Sequence, residues 1–353
     1  MKQNILDLSL DELALAVNPK FRAKQIFGWI YKKYASSFET MSDLPKDLRV
    51  SLSERFVLAL PIIKSTQVSA DGTEKYLLEL YDGHTVEVVL LMMKEEKKED
   101  EKTLKEAQYT ICISSQVGCK IGCAFCMTAK GGFVRDLSAG EIVGQILAIR
   151  EAKNFDENKK MNIVYMGMGE PLDNLENVIK SVQIITSKEA LDISPKRITV
   201  STSGIAPKIK KLAEANLGIN LAISLHAVDD ATREKIIPLN KAYDIRSVID
   251  EVRKFPADNR KKVLFEYLLL NGVNDDLESA KKLLKLLNGI DAKVNLINFN
   301  NCEGLEFKRT TRSRAEEFRD FLLFKNINCA IRVSRGQDID GACGQLRERV
   351  CEA

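Results

Sequence analysis

An alternation restricts the fold more than any other feature of the chain. Strand-like runs TICISS (110–115), NIVYMG (162–167), RITVST (197–202), NLAISL (220–225), KVLFEYLLL (262–270) and KVNLINF (293–299) are separated by helix-like stretches. Strand and helix repeated in this way predict a parallel sheet, because each crossover has to return the chain to the same end. Right-handed crossovers then give either an open sheet or a partial (β/α) barrel. A further strand-like piece, CAIRVS (329–334), follows the six. Helix starts are legible as well: Ser138 with Glu141 makes a capping box, and Asp275 with Glu278 repeats the pattern.

Two regions of different character precede the alternation. Residues 1–60 read as short helices, and in 21–34 Ile26, Trp29, Ile30 and Tyr34 fall near helical spacing, away from Lys24, Lys32 and Lys33. Runs at 76–80 and 85–91 flank Asp82-Gly83, a pair that favours a tight hairpin turn. Residues 94–106, KEEKKEDEKTLKE, hold five Lys, five Glu and one Asp among thirteen. With so little to bury, that stretch should be a mobile loop or a frayed hairpin tip. The expected division is therefore 1–60, a helical domain; 61–107, a hairpin extension and charged loop; 108–335, the strand–helix repeat; and 336–353, a C-terminal segment.

Composition excludes several classes. Hydrophobic residues make up 45% and charged residues 29%, as in ordinary globular proteins. The longest aliphatic run, 88–93, has six residues against the roughly 20 of a membrane-spanning helix. The acidic start, MKQNILDLSLDELALAV, lacks the apolar core of an export signal, so a cytoplasmic protein is expected. A net charge of +3, from 53 basic and 50 acidic residues, neither demands nor excludes a nucleic acid. Basic clusters at 32–33, 208–211, 260–262 and 308–314 suit either a phosphate backbone or a solvated face. In a reducing compartment the eight cysteines call for metal binding or chemistry rather than disulfides.

Three of them form the sharpest motif. Cys119, Cys123 and Cys126 make a C-x3-C-x2-C array directly after the first parallel strand, with Gly118 and Gly122 relaxing the backbone between them. Three thiolates on a four-iron cube leave one iron open, which suits a centre that binds substrate. The alternative is a zinc knuckle completed by Cys112 or His226.

The surrounding blocks are more specific. CISSQVGC (112–119), GMGEPLDN (167–174), VSTSG (200–204), ISLHA (223–227), LINFN (296–300) and DIDGACGQL (338–346) stand in the order found in the RlmN family, and FRAKQIFGWIYKK near the N-terminus matches too. The chain resembles that family, a branch of the radical S-adenosylmethionine superfamily, over nearly its whole length. The resemblance implies an α/β fold: a partial (β/α)6 TIM-like barrel with a small N-terminal RNA-binding helical domain and a C-terminal extension. It implies a 4Fe-4S cluster on Cys119, Cys123 and Cys126, and reductive cleavage of S-adenosylmethionine to a 5′-deoxyadenosyl radical. The implied activity is methylation of C2 of an adenosine in 23S rRNA and of one in certain tRNAs. A flavodoxin or ferredoxin as electron donor, a monomer and no membrane association complete the implied setting.

Residue roles follow from the same resemblance. Gly169, Glu170, Ser201, Ser224, Leu225, His226 and Asn300 match positions that line the S-adenosylmethionine pocket, and all fall near strand C-termini, where such folds gather ligands. Cys343 matches the cysteine that carries the methyl group, and Cys112 the thiol that releases the product by forming a transient disulfide with it. Glu87 matches the proton acceptor. Alternation groups it with Val89 and Leu91 on one strand face, where apolar surroundings would raise its pKa, although an exposed strand carboxylate fits the pattern as well. Cys302, Cys329 and Cys351 match no site and read as inert thiols. The charged 94–106 stretch and Met127 depart from the family pattern.

Three other functions remain in view. A Cfr-like enzyme would methylate adenosine C8, but Pro171 after Gly169-Glu170 favours the C2 family. A radical enzyme acting on a small molecule would have no RNA for residues 1–60 to hold. A zinc-stapled RNA-binding protein would be colourless and free of iron.

Overall fold

In the computed structural model the described residues are 2–346 apart from 95–96, 100–101, 106, 157–158, 160, 257–262 and 301–303. Cys302, Cys351 and the basic cluster at 260–262 lie outside them. The N-terminal region packs α1 (Leu10–Ala16), α2 (Arg22–Phe27) and α3 (Lys46–Arg55) around a short parallel pair, β1 (Gln3–Asn4) and β2 (Phe56–Val57). The predicted amphipathic segment is present, but α2 runs into a wider π-helical turn, Gly28–Lys32. That turn changes the register of the buried face, so Phe27 and Tyr31 are buried with Ile26 and Ile30. Trp29 stays at the edge, under the Lys33 ammonium at 3.8 Å.

Strands β3 (Ile62–Val68), β4 (Glu74–Glu79) and β5 (Thr85–Lys94) form an antiparallel meander. The Asp82-Gly83 turn lies where the sequence predicts, closed by a bond from Leu80 N to the His84 carbonyl at 2.7 Å. In the charged stretch β6 (Lys97–Glu99) and β7 (Lys102–Lys105) pair antiparallel, so its described part is a hairpin tip rather than a loop.

From there the chain runs through β8 (Gln108–Cys112), β9 (Gln116–Gly118), α4 (Met127–Lys130), β10 (Phe133–Asp136), α5 (Ala139–Ala152), β11 (Met161–Tyr165) and α6 (Leu175–Thr186). It continues through β12 (Ile198–Thr202), α7 (Ala206–Glu214), β13 (Asn220–Ser224), α8 (Asp230–Ile236), α9 (Ile245–Lys254) and β14 (Val263–Leu269). Helix α10 (Leu277–Leu286), β15 (Ala292–Asn298), α11 (Arg312–Phe324) and β16 (Asn328–Arg332) complete the repeat. One mixed sheet has the order β16, β15, β14, β13, β12, β11, β8, β5, β4, β3 and stays open at both ends. Its seven strands from β8 to β16 are parallel, and β5 joins β8 antiparallel.

Each new parallel strand is added on the same side, so right-handed crossovers put the main helices on one face of the sheet. Ile111, Ile163, Val200, Leu221, Phe265 and Val294 face those helices and form the core. The alternate positions turn to the opposite, inner face, and among them are the small or polar Cys112, Thr199, Ser201, Ser224, Glu266 and Asn295.

The predicted capping box is present, with Ser138 Oγ accepting from Glu141 N and Glu141 accepting from Ser138 N. The second one is shifted. Asp276, not Asp275, caps α10 by accepting from Ser279 N at 2.7 Å. Asp275 instead turns inward, accepting from Gly272 N at 2.9 Å and from the Arg314 guanidinium at 3.1 Å.

Just past β8, Ser114 finds its amide partner on a helix. Ser114 N donates to Gln145 Oε1 at 2.8 Å, and Gln145 Nε2 returns a bond to the Ser114 carbonyl at 2.9 Å, both buried. Gln145→Leu leaves two buried backbone groups unmatched and should lower unfolding stability by about 2–4 kcal/mol in urea titrations. A loss below about 1 kcal/mol would show that the amide is not what fixes this strand end.

Candidate active site

The cysteine loop is the arc between β9 and β10, which pair antiparallel at its base. Cys119 N donates to the Gly132 carbonyl at 2.7 Å. Gly118 sits at φ +75°, and a Cβ there would stand 2.0 Å from that same carbonyl oxygen, so no other residue closes the arc. Ala124 N donates to the Ile236 carbonyl at 2.9 Å, tying the loop to the end of α8. Ile121 inserts into a small apolar cluster with Ile236, Ile237, Leu268 and Phe299.

The thiols in this arc feel one another. Burial pushes Cys119 up to about 12, with Glu170, Cys126 and Asp173 adding to the shift. Burial also pushes Cys123 well above its usual range, and Cys126 and Cys119 add to it. Three thiolates so placed require a compensating positive charge, and iron ions bound directly to sulfur supply it. The donor set therefore fits a 4Fe-4S cluster. Among the described residues no three His, Cys, Asp or Glu side chains are gathered as ligands of a single ion; a cube takes its thiolates at separate corners.

Around the arc stand the ends of the parallel strands. After β11, Gly169 (φ +99°) passes so close to Gln116 that a Cβ would meet the Gln116 side chain at 2.6 Å. Glu170 N then donates to Gln116 Oε1 at 2.9 Å. The Glu170 carboxylate is buried and accepts from Leu172 N at 3.0 Å, Ser203 N at 2.7 Å and Ser203 Oγ at 2.7 Å. It is thus a staple between the β11 and β12 ends, and burial raises its pKa despite those donors. Ser201 and Ser224 lie on the inner face of β12 and β13, and Leu225 is fully buried just beyond. Asn300 is buried after β15.

His226 adopts a left-handed conformation, φ +57°. Its Nδ1 accepts from Leu268 N at 3.0 Å, and its ring meets Phe125 of the cysteine loop edge-on at 5.0 Å. Burial, with the neighbouring Arg233 charge, lowers its pKa to about 3. The imidazole is therefore neutral at physiological pH, with Nε2 as the protonated nitrogen.

The thiol pair of the sequence reading comes together from opposite ends of the repeat. Cys112 ends β8 on the inner face, buried. The segment after β16 returns to the cysteine loop: Met127 N donates to the Gly344 carbonyl at 2.7 Å, and Thr128 Oγ1 to the Leu346 carbonyl at 2.6 Å. Cys343 is accessible to solvent yet ringed by protein. Its thiol is pushed up by that enclosure and by Glu266, with Cys126 adding to the effect and Arg332 opposing it. Cys112 is pushed up by burial and by Cys343 itself. Cys329 is buried in β16, away from this group.

Glu87, on β5, is only 4% exposed, which removes the surface-carboxylate alternative. Its surroundings are not wholly apolar, however. Lys75 Nζ on β4 lies 2.9 Å from Glu87 Oε1, a contact the alternation of one strand does not reveal.

Several neighbours were absent from the sequence reading. Arg233, with no exposed surface, donates to the carbonyls of Leu225 (3.0 Å) and Ser203 (2.5 Å) and to Asn240 Oδ1 (2.9 Å), and so holds the β12 and β13 ends together. Gln116 and the buried Glu266–Asn295 pair, bonded at 3.0 Å, are others. Gln116 and Arg233 lie inside or just after recognised blocks, but nothing local announces a buried arginine.

A fold with parallel strands, one cysteine arc at their C-terminal ends and a polar inner face defines the radical S-adenosylmethionine class. Residues 113–284 match the Radical SAM superfamily, and residues 3–58 match the Ribosomal RNA large subunit methyltransferase N-terminal domain. A crystal structure of a radical SAM methyltransferase from Sphaerobacter thermophilus superposes with a TM-score of 0.87 at 38% identity, covering 98% of this chain and 99% of that one. The dual-specificity RNA methyltransferase RlmN of Nautilia profundicola is 57% identical over 349 residues, 99% of this chain and 98% of the relative. That of Nitratiruptor sp. is 59% identical over 348 residues, 98% of each. The chain belongs to the RlmN family of radical SAM RNA methyltransferases.

The His226 environment has a measurable consequence. Its pKa is about 3 in the fold against an ordinary 6.5, so the unfolded chain takes up the proton first. Stability is therefore complete above pH 6.5 and falls as pH drops, by about 1.4 kcal/mol per pH unit for this one group. His226→Asn, which keeps an acceptor for Leu268 N and tolerates the left-handed backbone, should remove roughly 2 kcal/mol of the decline between pH 6.5 and 5. Identical pH–stability curves for variant and wild type would contradict a buried neutral imidazole.

Proposed function

We propose that this enzyme methylates C2 of an adenosine in 23S rRNA and of an adenosine in tRNAs, with Cys343 as the methyl carrier and two S-adenosylmethionine molecules used per turnover. The observation that carries the reading is the return of the C-terminal segment. Backbone and hydroxyl bonds at Met127 and Thr128 hold Cys343 within electrostatic reach of both Cys112 and Cys126. A carrier thiol, a second thiol and the cysteine arc thus share one face.

Cys119, Cys123 and Cys126 would hold the 4Fe-4S cluster, which when bound supplies the electron for reductive cleavage of S-adenosylmethionine. Gly169, Glu170, Ser201, Ser224, Leu225, His226 and Asn300 line the place of that cosubstrate. Neutral His226 offers Nε2–H as a donor, and the Glu170 carboxylate, already fixed by three protein donors, keeps lone pairs for an ammonium. Cys343 Sγ carries the methyl group as a thioether; one C–H bond of that methyl breaks as its hydrogen atom passes to the 5′-deoxyadenosyl radical, and the methylene carbon left on sulfur bonds to C2 of the adenine. Glu87 accepts the C2 proton. The single electron spent on cleaving the cosubstrate is given back as the radical adduct closes to the aromatic base. Cys112 Sγ, having lost its proton, attacks Cys343 Sγ: the S–S bond forms, the S–C bond breaks with its electron pair on carbon, that carbon takes up a proton to become the methyl group, and the methylated base leaves. The two thiols end as a disulfide that two electrons must reduce before the next cycle. Because burial keeps Cys112 protonated at rest, it does not attack prematurely.

The N-terminal helices fit a role in holding RNA. An electron donor of the flavodoxin or ferredoxin type, a monomeric state and a cytoplasmic location belong to the same reading. Among the described residues no helix is long and apolar enough to cross a membrane.

Anaerobic assays with S-adenosylmethionine and protein-free rRNA test this. Cys343→Ala should abolish methylation, and Cys112→Ala should leave RNA covalently attached to the protein, visible on a denaturing gel. Glu87→Gln should slow transfer about 10²-fold or more. Mass spectrometry should identify 2-methyladenosine. Normal turnover by Cys343→Ala, or 8-methyladenosine as the sole product, would overturn the reading.

A further inference from the structure

The β3–β4 turn receives the chain just before Cys343. Asp71 Oδ2 accepts from Gly336 N at 3.1 Å, while Asp338 accepts from Ala70 N at 3.1 Å and from Ser69 Oγ at 2.5 Å. These reciprocal carboxylate bonds fasten a short turn, Gln337–Ile339, whose flanking residues Gly336 and Asp340 both have positive φ, +64° and +51°. One side chain of the meander reaches past this anchor. Lys75 Nζ lies 2.9 Å from Glu87 Oε1 and 3.5 Å from the Asp340 carbonyl oxygen.

Strand register explains the contact. Leu77 stands opposite Glu87 and Lys75 opposite Val89, so the lysine lies diagonal to the carboxylate on the same face. Val89 in turn stands opposite Cys112. Among the described residues, the ionisable groups that these three strands bring together here are Lys75 from β4, Glu87 from β5 and Cys112 from β8. The side chains of Lys75 and Glu87 are only 10% and 5% exposed. A buried ion pair is a poor way to gain stability, since two apolar side chains of similar volume would join the strands as well or better. Its presence here points to the chemistry of the carboxylate.

We propose that Lys75 is a positioning residue for methyl transfer: it keeps Glu87 ionised and oriented on the Cys112 face, and ties that geometry to the strap that delivers Cys343. The proposal rests on Glu87 being the proton acceptor. An acceptor must be deprotonated when the C2 proton leaves. Burial alone would favour its neutral form, and a lysine at 2.9 Å opposes that. Lys75 touches neither RNA nor cosubstrate in this role, and acts through Glu87 and the Asp340 carbonyl.

The test separates the two stages of the reaction with the full-length, cluster-loaded enzyme. Methylation of Cys343, followed by mass spectrometry without RNA, does not use the proton acceptor; transfer to RNA does. Lys75→Met should methylate Cys343 within about twofold of wild type. It should transfer to RNA about ten- to a hundredfold more slowly and show a primary isotope effect with RNA deuterated at adenosine C2. Lys75→Arg should restore most of the transfer rate. Because Lys75→Met takes the ammonium away from a buried carboxylate, the double variant Lys75→Met/Glu87→Gln is included; it should regain thermal stability without regaining transfer. Transfer by Lys75→Met within threefold of wild type, or equal slowing of both stages, would overturn the proposal. Glu87→Gln run alongside distinguishes the causes: if it transfers normally, the acceptor assignment itself fails, whereas a slow Glu87→Gln beside a normal Lys75→Met rejects only the role of Lys75.

Discussion

Three thiols brought together under cover in one small loop are the constraint on which the rest of the molecule depends. Burial raises the proton affinity of Cys119 and Cys123, Cys126 adds to both and Cys119 to that of Cys123, and Glu170 and Asp173 add to the burden on Cys119. Such a group stays protonated and inert unless metal cations are bound among the sulfurs. The surrounding architecture answers to that requirement. Gly118 lets the arc close, Ile121 anchors it in an apolar cluster, and the parallel strands present their C-terminal ends beneath it.

The single-sided winding of the sheet does the second part of the work. Helices cover one face with an aliphatic core, and the other carries short and polar side chains among its alternate strand positions. Glu87, Cys112, Ser201 and Ser224 all fall on that inner face, though they come from four strands spread across the sheet. Covering it from the far end of the chain, the strap at 335–346 is fixed at one end on the β3–β4 turn and at the other on the cysteine loop. Its anchors are hydrogen bonds to the β3–β4 turn and to α4, with Leu346 buried in the core beside the second, an arrangement that suits the carrier role proposed for Cys343.

Much of this was legible in the sequence because it is local. Strand runs, the Ser138 capping box and the Asp82-Gly83 turn depend on residues a few positions apart, and the structure has them within three residues. The family blocks identified the enzyme class. What escaped is non-local. The Asp275 side chain was drawn from its expected capping role by Arg314, a residue on a later helix. The burial of Arg233 follows from three carbonyls on two strand ends that only the folded sheet brings together. Lys75 is intermediate: once the turn at Asp82-Gly83 fixes the hairpin register, its place beside Glu87 can be counted off, but a strand read alone conceals it.

The central claim is that three sulfurs hold an iron cube in which one metal remains open to the cosubstrate. Electron paramagnetic resonance of the anaerobically reconstituted, reduced protein, with iron and sulfide assayed on the same sample, tests it most directly. The account predicts about four irons per chain, a signal that changes when S-adenosylmethionine is added, and loss of both in Cys123→Ala. A sample that binds zinc in place of iron, or a cluster signal indifferent to the cosubstrate, would contradict it.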